Sequence, residues 1–384
     1  MPSYAPWRVP PADRSWGTIA PMSDPRRRVY LHIGAPKTGT TYLQDRLTAN
    51  ARSLARHGVH IPRASLRLRP DQSHFKAALD LLDQDWGGPP GHAKGMWPKL
   101  VRAMRGEGTY VVSHEVLAPA RPEVVDRVMS DLSDHEVHIV YSARDLGRQL
   151  PAAWQESVKQ GRAWGLKKFL ERSLAGKTFF ARSFDIPEVL GTWGAGLPAD
   201  RLHVVTVPHT RGDALWLRYC EAFGIDPAWA PKDSVRANES LGPAEIRVLR
   251  ELNRRLGFAT RRSEPYDRLV LGMLGNDVLA GRGNGKVTVP PKRYDDVDAR
   301  SEEMIAWLEQ RGVDVIGDLD DLRPRRPDPG TPWRSPASVS DRAVLDAAIV
   351  ALEEMTHEAA RREPPRHTLT EFARKGMDRV RGKG

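Results

Sequence analysis

The sequence predicts an α/β protein: a parallel sheet flanked by helices, with a mainly helical C-terminal part. Three observations lead there. Short apolar, β-branched runs at 29–33, 109–113, 137–141 and 202–207 read as buried parallel strands. Segments of helical periodicity separate them, and strands alternating with helices imply a parallel sheet covered on both faces. Beyond residue 210 the periodicity is helical, near 211–223, 243–256, 297–311 and 340–361.

Taken in order, residues 1–27 are Pro-rich and aperiodic, and they end in a run of arginines, so disorder is expected there. Residues 40–57 form a helix whose apolar face is Leu43, Leu47, Leu54 and Ala55, and Gly58 stops it. A short strand at 59–61 follows, then helices at 73–83 and 96–105 around a Gly/Pro/Trp loop, and later helices at 146–160 and 183–193. This gives an α/β domain over 28–317. The stretch 318–341 is rich in proline and charge and reads as a surface linker. Residues 342–384 supply a last helix and a basic tail.

Composition narrows the function. The chain has 384 residues and a net charge of +10. From Arg361 onward it carries eight basic and three acidic residues, so half of the excess lies in a tail. With no RNP, zinc-knuckle or basic-zipper pattern, a nucleic-acid partner is not expected. A basic balance suits an enzyme with a polyanionic substrate. The lone cysteine, Cys220, allows no disulfide within the chain and reads as a packing residue in a reducing compartment. No apolar run approaches the ~18 residues of a membrane span, and no signal-peptide core is present. A cytoplasmic location is expected.

The chemistry starts at Ile33-Gly34-Ala35-Pro36-Lys37-Thr38-Gly39-Thr40-Thr41-Tyr42. A strand, a Gly-containing loop and a helix start make a phosphate cradle, because loop and first-turn amides lack partners and the helix dipole favours an anion. The architecture is therefore P-loop-like. An ATP-binding loop would read G-x-x-x-x-G-K-[ST], whereas here Thr40 stands at the lysine position and Lys37 lies three residues earlier. The PKTGTT segment after LHIG resembles the 5′-phosphosulfate loop of sulfotransferases, which use 3′-phosphoadenosine 5′-phosphosulfate (PAPS). The KTGTT form is typical of the branch that acts on carbohydrates. The resemblance covers about residues 28–210. It implies PAPS as co-substrate, no metal, and Pro36, Lys37, Thr38, Gly39, Thr40 and Thr41 as donor-binding residues.

Arg144 ends the strand at 137–141, where ligands of open α/β sheets bind. In sulfotransferases the matching arginine holds the donor's 3′-phosphate, helped by a serine eight residues later. Ala152 stands there instead. Arg148, one helical turn before Ala152, is expected to supply the missing donor. Asp145 reads either as a helix cap or as a Walker-type magnesium ligand, and the adjacent Arg144 disfavours the latter. His114 and Glu115 end the strand at 109–113, and sulfuryl transfer needs a base for the acceptor proton and a cation for the leaving phosphate. Lys37 is the cation. The resemblance favours Glu115 as base, with burial raising its pKa, over His114.

Tyr42 either stacks near the donor's adenine or packs on the sheet. Weaker candidates are the 3′-phosphate clamp at 372–376, the acceptor-cleft stretch 236–240 and a basic lid at 282–293. The expected function is sulfuryl transfer from PAPS to a hydroxyl or amine, with a carbohydrate or lipid acceptor favoured. A P-loop kinase or NTPase and a non-catalytic nucleotide-binding protein are the alternatives.

Overall fold

The computed structural model describes residues 27–362, except 211, 236–239, 283–284 and 329. The tail candidate at 372–376, and all but Ser240 of the 236–240 stretch, lie outside the described residues. Six strands form one parallel sheet: β1 (Arg28–Gly34), β2 (Val59–His60), β3 (Thr109–Ser113), β4 (Glu136–Ala143), β5 (Leu202–Thr206) and β6 (Asp314–Ile316). Their order is β2-β3-β1-β4-β5-β6. The chain winds to one side of β1 and then to the other, so the ends of β3 and β4 flank the end of β1. That is the switch point at which open α/β sheets bind ligands.

Among the described residues, thirteen α-helices follow in chain order: α1 (Thr40–Arg56), α2 (Pro70–Leu81), α3 (Met96–Arg102), α4 (Pro122–Asp131), α5 (Leu146–Lys159), α6 (Leu166–Leu174), α7 (Phe179–Phe184), α8 (Ile186–Trp193), α9 (Ala214–Phe223), α10 (Pro243–Arg255), the single turn α11 (Glu264–Tyr266), α12 (Tyr294–Arg311) and α13 (Asp341–Arg361). A π-helix, Asp267–Val278, continues α11. Alternate strand residues sort the core into two layers. Val29, Leu31 and Ile33 of β1 face a large core shared with α3, α4, α5, α8 and α12. Tyr30 of β1 faces a smaller one built by Leu43, Leu47 and Leu54 of α1 and Trp216, Tyr219 and Phe223 of α9. Each such side chain, fully buried, contributes about 1.5–3 kcal/mol.

One expectation needs correcting. Residues 318–341 are not simply a surface linker: Leu322 and Pro336 are buried, and Asp321 pairs with Arg218 of α9 at 2.5 Å. The domain also gains β6, whose Asp314 is largely exposed. Cys220 packs in the smaller core, where burial raises its thiol pKa to about 12.

Candidate phosphate-binding site

Register brings the three motifs together. His32 of β1 pairs with Ser113 of β3, and Ala35 donates to the Ser142 carbonyl of β4 at 2.9 Å. The loop 35–39 therefore starts between Glu115 and Arg144. Gly34 is required at this junction: its φ is +122°, and a Cβ there would lie 3.2 Å from Glu115 Cβ. Lys37, at φ +66°, and Gly39, at +93°, turn the chain through the left-handed region into α1. For a lysine that conformation costs about 1–3 kcal/mol, a strain more common at functional loops than elsewhere.

The carbonyl side of the loop is tied down from behind. Gln149 of α5 donates to the Pro36 carbonyl at 3.0 Å, and Arg144 donates to the Lys37 carbonyl at 2.9 Å. Thr38 donates its hydroxyl to the Ala35 carbonyl at 2.6 Å. The first hydrogen bond of α1 is Leu43 N–H to the Gly39 carbonyl, 3.0 Å. The amides just before it have no partner within the helix. Gly39 precedes α1 as N-cap, and no side chain caps the helix. Carbonyls held back and unpaired amides at a helix start are what an anion site requires.

Arg144 thus acts partly as a strut. Its Nε is buried without a hydrogen-bond partner among the described residues, a donor left unspent. Burial lowers its pKa to about 10, which leaves it charged at neutral pH. Arg148, expected to stand in for the hydroxyl absent at Ala152, is engaged elsewhere. Its guanidinium is committed to Asp145 and to the carbonyls of Val207 and Pro208, both at 2.9 Å. Asp145 in turn caps α5 by accepting from the Arg148 amide at 2.9 Å, so its carboxylate is occupied as a cap.

Besides Gln149, α5 sends Glu156, one turn beyond Ala152, to the loop. Its carboxylate accepts from Lys37 Nζ at 2.9 Å and lies 4.0 Å from Lys159 Nζ. Lys159 continues to Asn276 of the π-helix at 2.8 Å. Burial raises the Glu156 pKa, but the two lysines outweigh it and hold the group below the ordinary carboxylate range. Neither Glu156 nor Gln149 was singled out from sequence. Their helical spacing from Ala152 was the available signal.

On the other side, Glu115 opens a 3-10 turn, Glu115–Leu117, and accepts from Gln44 of α1 at 3.0 Å. Contrary to expectation, its pKa is lowered. Burial pushes it up, but His114, its own backbone amide and Gln44 together outweigh that. His114 caps the turn instead: its Nδ1 accepts from the Val116 amide at 3.3 Å, which places the proton on Nε2, and its ring stacks on Phe75 at 4.9 Å. Burial lowers its pKa. Tyr42 is half-buried against the smaller core, and its hydroxyl accepts from Arg46 at 2.7 Å.

Comparison with known proteins returns no matching family model, no matching curated protein and no matching solved structure. Among the described residues no helix is long and apolar enough to cross a membrane.

Proposed function

We propose that the protein is a PAPS-dependent sulfotransferase. One observation carries the reading: a loop whose carbonyls are tied back by Gln149 and Arg144 leaves its amides free, carries a displaced lysine, Lys37, and starts at Gly34 against Glu115 on the neighbouring strand end. In transfer, an acceptor oxygen or nitrogen forms a bond to sulfur as the bond from sulfur to the 5′-phosphate oxygen breaks. The acceptor proton goes to Glu115, which its low pKa keeps ionised at neutral pH. Lys37 and the loop amides take the charge that develops on the leaving phosphate. Arg144 is assigned to the 3′-phosphate through its unspent donor. A carbohydrate or lipid acceptor and a cytoplasmic location belong to the same reading.

Purified protein incubated with PAPS and a panel of sugar and lipid acceptors should release 3′,5′-ADP. Lys37→Ala should slow that release more than it weakens donor binding, because the charge on the leaving phosphate is greatest in the transition state. Unchanged turnover would remove Lys37 from the mechanism, and magnesium-dependent ATP hydrolysis would favour an NTPase.

A further inference from the structure

The loop after α10 carries an apolar tip inside a field of cations. Gly257, Phe258, Ala259 and Thr260 are all exposed, Phe258 to 64%. The 3-10 turn Thr260–Arg262 closes the loop, and the Arg262 guanidinium lies 4.8 Å from the centre of the Phe258 ring. The loop is braced against the turn that ends α5. Arg261 donates to the Gly161 carbonyl at 2.6 Å, and Asn253 of α10 donates to the Arg162 carbonyl at 3.1 Å. Burial lowers the Arg162 pKa, and repulsion from Arg262, Arg261 and Arg172 lowers it further. Next to Arg162 stands Trp164, half-buried, with the charged heads of Arg162, Arg172 and Lys168 at 5.4, 4.9 and 5.9 Å from its ring centre.

Among the described residues, none of Arg162, Lys168, Arg172, Arg261 and Arg262 pairs with a carboxylate. By contrast, Arg254 and Arg255 at the end of α10 share Glu251 at 3.0 and 3.3 Å. Like charges gathered without counter-charge repel, and a bound polyanion relieves that repulsion. Charge alone suits any polyanion, but the tip selects among them. Nucleic-acid strands seat in grooves, whereas an exposed phenylalanine on a protruding loop matches the boundary between headgroups and acyl chains. A half-buried tryptophan ringed by cations suits the same level. We infer that this surface docks the protein on a bilayer containing anionic lipid, with Phe258 inserted below the headgroups and Arg162, Arg262 and Lys168 against their phosphates. The surface adjoins the end of α5 that carries Glu156 and Lys159, so docking brings the phosphate loop close to the membrane. The inference goes beyond the sulfotransferase reading and does not depend on it.

The experiment is co-sedimentation of the full chain with vesicles of phosphatidylcholine alone and of phosphatidylcholine mixed with phosphatidylglycerol. The protein should bind the mixed vesicles far better, and salt should weaken that binding. Phe258→Ser should weaken it at least about tenfold, the lower end of what burying a phenylalanine contributes. Arg262→Gln should weaken it about fivefold, the worth of one cation near an anionic surface. Both side chains are exposed, so both variants should melt as wild type does. Ala259→Cys labelled with a polarity-sensitive dye reports insertion, because Cys220 is 2% exposed and stays unlabelled. Its emission should shift to the blue on mixed vesicles. No binding to mixed vesicles, a dye that stays in water, or equal binding by Phe258→Ser would overturn the inference. Binding to heparin or single-stranded DNA without binding to vesicles would overturn it as well, by assigning the surface to a soluble polyanion. None of these readouts uses a sulfuryl donor, so their outcome is separate from that of the transfer assay.

Discussion

Replacing Glu156 with Gln should tighten binding of 3′,5′-ADP, because the loop lysine is then no longer held by a carboxylate. Lys37 Nζ lies 2.9 Å from Glu156, with the two side chains 33% and 19% exposed. At an effective dielectric of ~20 the gross attraction is several kcal/mol, and desolvation cancels most of it. What remains is the net worth of a hydrogen bond to a charged group, about 1.5–3 kcal/mol. An anion seated on the loop must compete for that bond, which corresponds to about a 10- to 150-fold handicap in affinity. Glutamine keeps the volume and removes the charge, and Lys159, 4.0 Å away, adds to the freed positive field. Calorimetric titration should show the dissociation constant falling at least tenfold, with a smaller gain at high salt as screening weakens the field. Unchanged or weaker binding, in a variant that still melts cooperatively, would refute the idea that Glu156 competes with the ligand for Lys37.

Gly34→Ala places a Cβ 3.3 Å from the Glu115 backbone at a φ of +122°. It should destabilise by about 1–3 kcal/mol in denaturant titrations and impair transfer; a neutral result would mean that the junction is not tight. Glu115→Gln should cost about 10²- to 10⁴-fold in transfer while 3′,5′-ADP affinity holds. His114→Ala should lose less, and the reverse order would make the histidine the base. Because Glu115 titrates below the ordinary carboxylate range, the acid limb of the turnover profile should lie below about pH 4.5. Burial lowers the His32 and His74 pKa values to about 4, against 6.5 for the free side chain. The unfolded chain therefore binds more protons between those limits. The stability these residues contribute is fully present above pH 6.5 and is lost as pH falls toward 4, about 3 kcal/mol for each histidine. Unfolding free energies that stay level between pH 7 and pH 5 would contradict the burial of these rings.

The strands that flank the site were legible because burial on both faces leaves short apolar runs, and β3 falls at 109–113 as expected. The start of α1 at Thr40, and its end near Gly58, followed from the loop glycine and the Leu43, Leu47 and Leu54 stripe. β6 was not legible: three residues with a largely exposed aspartate carry no pattern of their own, and pairing with β5 makes them a strand. The π-helix, Asp267–Val278, was missed for a similar reason, since its glycines and polar residues dilute any helical period. At the site, Lys37, Arg144 and Glu115 could be picked out because each lies within three residues of the end of an apolar strand. Glu156, Gln149 and Gln44 could not, because their roles depend on which helix lies over which strand end. Arg148 shows the converse: helical spacing placed it near Ala152, yet two carbonyls of the loop after β5 claim its guanidinium.

The central claim is that the cradle between β3, β1 and β4 recognises a nucleotide bearing a 3′-phosphate, with Lys37 and the loop amides on the 5′ side and Arg144 on the 3′ side. Titrating the purified protein with 3′,5′-ADP and with ADP, both with EDTA and with magnesium, tests it most directly. 3′,5′-ADP should bind at least tenfold more tightly than ADP, since one charge-assisted hydrogen bond to the extra phosphate is worth about 1.5–3 kcal/mol, and magnesium should not be needed. Equal affinities, or binding of ADP that depends on magnesium, would contradict the account.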